Sequence, residues 1–158
     1  MKFKRVLVPL DGSPVGEAVL ARAVELGRDG ATLMLLRAAE ARTLGRDMVT
    51  AQVDVVKEAE VYLADVSERL RRTGVTDVET SVWYGPAPES IVEAARVRNA
   101  DLILMSSHGR SGLGRLVLGS VAETVLRGTT TPILLVRPGG APVAPVPAGG
   151  ARPAEGPG

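Results

Sequence analysis

The stretch Asp101-Leu-Ile-Leu-Met-Ser-Ser-His-Gly-Arg-Ser-Gly-Leu-Gly-Arg-Leu-Val-Leu-Gly-Ser-Val-Ala-Glu123 decides how this chain folds and where its chemistry sits. Residues 102–105 form an apolar run short enough to be one buried strand. Small and polar residues follow: Ser106, Ser107, His108 and Gly109. A basic, glycine-bearing loop covers residues 110–118, and Gly119-Ser120 opens a helix. Ser120 and Glu123 have the S-x-x-E spacing of a capping box, so Ser120 is the expected N-cap. Glycines let backbone N–H groups approach oxygen atoms closely. A helix start adds unpaired donors and a positive dipole end. Strand, loop and helix start together predict an anion site suited to a phosphate chain.

Working outward, the pattern alternates between strands and helices. Residues 3–10 read as a strand centred on Val6-Leu7-Val8, apolar enough for burial on both faces. Asp11-Gly12-Ser13-Pro14 is a turn followed by a helix start, with Ser13 at the N-cap and Pro14 at the first helical position. Val15, Val19, Ala23 and Leu26 share one helical face. The second strand runs over 31–38, and residues 39–50 look like a mobile loop. The longest helix carries a stripe of Val53, Val56, Leu63, Val66 and Leu70, and Gly74 fits its C-terminal cap. Val78, Thr80 and Val82 mark one face of a third strand. A short helix over 89–98 turns Ile91, Ala94 and Ala95 inward. The helix after Ser120 is expected to bury Val121, Ala122, Val125 and Leu126, and residues 132–136 form a last strand.

This β-α alternation predicts a parallel sheet with helices on both faces and right-handed crossovers. Ligands of such folds bind beyond the carboxyl ends of the strands, where the winding reverses. If the first and fourth strands are neighbours there, Asp11 faces the Ser106 loop across one crevice. Residues 138–158 differ in kind: six of the eleven prolines and six of the eighteen glycines fall there. Their apolar residues are only alanine and valine, so this stretch is read as a disordered tail after a single domain over 1–137.

Composition narrows the function. The net charge of +1 gives no global field for nucleic acid. With no cysteine, disulfides, thiol catalysis and cysteine metal sites are excluded. No apolar run is long enough to span a membrane, and the first acid, Asp11, comes too early for a signal-peptide core. A cytoplasmic protein is the default expectation. The glycine loop holds no lysine and no G-x-x-x-x-G-K-[ST] motif, which weighs against phosphoryl transfer as the main activity.

Individual residues have plain readings as well. Asp11 could be a turn residue, since Asp-Gly is a common turn pair. His108 is the only histidine; no partner acid or nucleophile is placed beside it, so it is read as a hydrogen-bonding residue, not a catalyst. Arg110 and Arg115 either pair with phosphate or are solvated loop charges. Trp83 and Tyr84 are read as packing.

The run from Ser106 to Ser120 resembles the nucleotide-binding motif of the universal stress protein family: G-x-x-G, nine residues, then G followed by Ser or Thr. Gly109, the nine residues 110–118, Gly119 and Ser120 match, and Ser106 replaces the first glycine. The opening Val6-Leu-Val-Pro-Leu-Asp-Gly-Ser13 and the ending Pro132-Ile-Leu-Leu-Val136 are also similar to the family, so the likeness covers residues 3–137. It implies a Rossmann-like three-layer α/β/α sandwich, with a five-stranded parallel sheet in the order 3-2-1-4-5. It implies ATP as ligand, with Mg²⁺ bridging the phosphates, and a homodimer formed through the last strand. By matching positions, Asp11, with Pro9 and Leu10 before it, meets the adenosine end, and the backbone around Ala38 meets adenine. Met105, Ser106, Gly109 and Arg110 then lie along ribose and phosphates, and Gly119, Ser120 and Val121 hold the phosphates. The implied function is a nucleotide-dependent stress-response module. The alternatives are a slow ATPase or phosphoryl-transfer enzyme, and a dimeric scaffold without nucleotide.

Overall fold

Strand β1, Arg5–Pro9, lies at the centre of a five-stranded parallel sheet because Val6, Leu7 and Val8 are apolar on both of its faces. The computed structural model describes residues 2–41, 47–108 and 118–138. After β1 the chain makes a short 3-10 helix, Gly16–Val19, which continues into α1, Leu20–Arg28. Then follow β2 (Thr32–Ala39), α2 (Met48–Arg72), β3 (Val78–Tyr84), α3 (Ala87–Val97), β4 (Leu102–Ser106), α4 (Ser120–Gly128) and β5 (Ile133–Val136). The sheet order is β3-β2-β1-β4-β5, every neighbouring pair is parallel, and β1 meets β4 in the register Val6 to Leu102 and Leu7 to Ile103.

Because side chains alternate along a strand, the sheet supports two cores. Val6, Val8, Leu33, Leu35, Leu102 and Leu104 face α1 and α2, where they meet Val19, Ala23, Leu63, Val66 and Leu70. Leu7, Met34, Leu36, Ile103 and Met105 face α3 and α4, against Ile91, Ala94, Ala95, Ala122 and Val125. This is the three-layer arrangement that the alternation predicts. The chain winds outward from β1 to β2 and β3, then crosses back to β4 and β5. The reversal falls between β1 and β4, so their carboxyl ends open one crevice.

Local details depart from expectation in four places. Pro14 does not start an α-helix at once; the 3-10 helix comes first, although the Ser13 hydroxyl does accept the Gly16 N–H at 3.0 Å. α3 begins at Ala87, ahead of Glu89, since Pro88 sits in its first turn, where a missing N–H costs nothing. Ser120 is not the N-cap of α4. Gly119 holds that position with φ −60° and ψ 155°, and no side chain caps it. Its N–H is taken by the Ser107 carbonyl at 2.8 Å, and the helix begins at Ser120, one residue earlier than a Ser120 cap implies. Leu126, Val53 and Thr80 are exposed instead of inward, Leu126 by 50% and Val53 by 45%. The expected disorder of residues 138–158 falls almost wholly outside the described residues.

Candidate functional site

The carboxyl ends of β1, β2 and β4 and the start of α4 enclose a cleft of about 640 Å³, within the range of small-ligand sites. Nine sequence-predicted residues line it: Pro9, Leu10, Asp11, Ala38, Met105, Ser106, Gly119, Ser120 and Val121. Gly109 and Arg110 lie outside the described residues.

Each wall has a local cause. On the β1 side the chain must turn sharply after a buried strand. Asp11 Oδ1 accepts the Ser13 N–H at 2.9 Å and the Ser13 hydroxyl at 2.6 Å, which fixes the turn. Gly12 has φ +82°, a left-handed conformation that favours glycine, and an added Cβ there would push aside the tip of the Arg37 side chain. A Cβ on Gly16 would lie 2.5 Å from Asp11 Oδ1. The turn is therefore packed closely around one carboxylate.

On the β4 side the Ser106 hydroxyl donates to the His108 carbonyl at 2.6 Å and lies 3.4 Å from the Val15 carbonyl. The single hydroxyl proton goes to His108, so serine, which stands where the motif has glycine, braces the chain just after β4. Ser107 is buried, and its carbonyl anchors Gly119. This refines the expected role of Gly119: its own N–H is occupied. The first intrahelical bond of α4 runs from the Glu123 N–H to the Gly119 carbonyl at 3.0 Å. The N–H groups of Ser120, Val121 and Ala122 precede that bond and have no intrahelical acceptor. With no capping side chain among the described residues, three donors and the positive end of the helix dipole stand at the cleft wall.

Sequence reading missed the floor and the far rim. Leu36, Arg37, Glu58, Ala87 and Ile91 also line the cleft, from β2, α2 and α3. Arg37 lies over the Tyr62 ring, 5.1 Å from its centroid. The Tyr62 hydroxyl donates to Glu17 Oε1 at 2.9 Å, and Arg69 binds both Glu17 oxygens at 2.9 and 3.1 Å. Arg69 holds the Glu17 carboxyl below the usual carboxylate range, against the opposing effect of its burial. Burial, and then Glu17, push the Tyr62 phenol above its ordinary value. This chain of contacts braces the helix after the Asp11 turn against α2. Trp83 packs on the core beneath α3 and α4, as read from sequence, while Tyr84 is exposed.

Among the described residues no group of three or more His, Cys, Asp or Glu side chains could hold a metal ion. No helix among them is long and apolar enough to cross a membrane.

The sequence profile of the Universal stress protein family matches residues 2–137. A Staphylococcus aureus (strain USA300) protein that bears the family's name is 33% identical over 141 residues, covering 85% of this chain and 84% of that one. Among solved structures, that of the hypothetical protein MJ0577 superposes with a TM-score of 0.79 at 25% identity, covering 89% of this chain and all of the other. A universal stress protein in complex with cAMP gives a TM-score of 0.67 at 24% identity, covering 88% and 100% of the two chains. Profile, relative and sheet order agree: the chain belongs to the universal stress protein family.

Proposed function

We propose that this chain binds ATP in the cleft between β1 and β4 and works as a nucleotide-dependent regulatory module. The observation that carries the reading is the uncapped start of α4. The amides of Ser120, Val121 and Ala122 have no acceptor among the described residues and stand at a wall of a cleft large enough for a nucleotide. Solved members of the family with cAMP, dAMP and AMP support an adenine ligand. The triphosphate lies along Ser106, Gly109 and Arg110 to the α4 start, and the adenosine end lies between Asp11 and Ala38. Mg²⁺ is held mainly by the phosphates themselves, which suits a site with few carboxylate ligands. Regulation, not turnover, is the main output, because the loop offers no lysine to the phosphates.

The module is a cytoplasmic homodimer joined through β5. That strand ends the sheet, and its Leu134 is 39% exposed, an apolar edge that a second copy covers. The nucleotide-binding unit is residues 1–137, so deleting residues 140–158 leaves the melting temperature unchanged within about 2 °C, a shift of well under 1 kcal/mol.

Calorimetry with ATP, with and without Mg²⁺, tests the reading, together with mass spectrometry of any small molecule that co-purifies. Saturable binding at one site per chain is expected. A folded chain that binds no adenine nucleotide would overturn it and favour a dimeric scaffold. Steady multiple-turnover phosphate release would favour an enzyme.

A further inference from the structure

His108 lies where β4 ends, one residue after the Ser107 carbonyl that anchors α4, and it lines the cleft. Its Nδ1 is 3.0 Å from the Ser107 hydroxyl. Its Nε2 is buried and has no hydrogen-bond partner among the described residues. Buried polar atoms are nearly always paired, and an exception calls for a cause. Leaving such an atom unpaired costs the desolvation of the group with nothing in return. In the tautomer in which the Ser107 hydroxyl donates its one proton, Nδ1 is the acceptor. That places the ring proton on Nε2, as a donor without an acceptor. The uncapped amides of α4 line the same cleft, on the far side of the Ser107–Gly119 bond. An anion seated on those amides would share the cleft with a ring nitrogen that has no partner among the described residues.

From this we infer that His108 is a phosphate-positioning residue: Nε2–H donates to a phosphate oxygen of the bound nucleotide, while Ser107 fixes the tautomer through Nδ1. The inference rests on the nucleotide reading of the cleft and adds to it a ligand-binding side chain outside the glycine pattern. Its consequence is selectivity. A nucleotide presenting a phosphate oxygen to Nε2 binds more tightly than adenosine, by more than the helix amides alone provide.

The chain contains one histidine, so its ring nitrogens can be followed without assignment ambiguity. The experiment is ¹⁵N NMR of the histidine ring in the full-length chain, titrated with ATP, AMP and adenosine, beside calorimetry on the same samples. Expected are the Nε2–H tautomer in the free protein, and slowed Nε2–H exchange with a shifted Nε2 resonance on ATP or AMP but not on adenosine. His108→Gln, whose amide reaches the Nε2 position, keeps ATP affinity within about threefold, whereas His108→Asn, which reaches only Nδ1, loses about tenfold, the scale of one hydrogen bond to a charged group. The wild-type NMR stands whether or not a variant folds. ATP binding with unchanged ring signals would overturn the role of His108 and leave the cleft as the nucleotide site. Equal affinities for the Gln and Asn variants would do the same. No binding of any nucleotide by the folded wild type would overturn the nucleotide reading itself.

Discussion

Gly119→Asp separates two consequences of the same backbone geometry. The residue sits at the N-cap of α4 with φ −60° and ψ 155°, which any L-residue adopts without strain, so the substitution does not disturb the chain. Aspartate is a preferred N-cap, and its carboxylate accepts the free amides of Val121 or Ala122. Against glycine that is worth a few tenths of a kcal/mol, and its charge at the dipole's positive end adds about 0.3–1 kcal/mol. The fold is therefore stabilised by roughly 0.5–1 kcal/mol, or about 2–4 °C in Tm for a domain of this size. The same carboxylate occupies the amides to which we assign the phosphate, and it repels an anion there. At about 4 Å and an effective dielectric of 20–40, one unit of like charge costs roughly 2–4 kcal/mol, which is about a 30- to 1000-fold loss of affinity. Urea or thermal unfolding gives the first quantity and ATP calorimetry the second. A variant that binds ATP within threefold of wild type refutes the placement of phosphate on these amides. A loss of more than about 1 kcal/mol in stability refutes the cap geometry, since no N-cap aspartate should cost that.

Gly12→Ala forces a side chain into the left-handed region and against Arg37; it costs about 1–2 kcal/mol by urea unfolding, and adding Arg37→Ala recovers part of the loss if the guanidinium is the obstacle. Glu17 is held below its ordinary pKa in the folded protein, so its pairing stabilises above about pH 4.5 and is lost as pH falls through the lower, folded value. Arg69 is 43% exposed, which limits the effect to about 1 kcal/mol or less. Glu17→Gln should therefore be less stable than wild type at pH 7, with the gap closing toward pH 3; a constant gap across that range contradicts the ion pair. Leu134→Arg places a charge on the β5 edge and converts a dimer to a monomer by light scattering, and a wild type already monomeric at high concentration excludes pairing through this strand.

The inner strands are legible because burial on two faces leaves no polar residue in their centres, as in Val6-Leu7-Val8 and residues 102–105, and the edge strand β3 by its alternation. The cleft walls are legible because they lie next to one another in sequence: a strand end, a turn, a helix start. What escaped is what only packing decides. Val53 fits the stripe of α2 yet is exposed, because its turn of the helix lies beyond the core that Leu63, Val66 and Leu70 reach. The spacing of Ser120 and Glu123 fits a capping box, but a long-range bond from Ser107 moves the cap to Gly119. Glu58 carries no local pattern, and the helical spacing that turns Ile91 inward does not say that it meets the cleft. Arg37 did leave a trace: it is a charge directly after the four apolar residues 33–36 of a buried strand. A charge there has to find an open space, and the cleft is that space.

The bond between the Ser107 carbonyl and the Gly119 N–H closes a span of eleven residues, 108–118, at its base. Each end is thereby fixed to the other independently of the chain between them. Lengthening such a closed span is cheap, about 0.6 kcal/mol for a doubling. The start of α4 is therefore held at the end of β4 by a bond of its own, at a cost that does not grow steeply with the length of the span it closes.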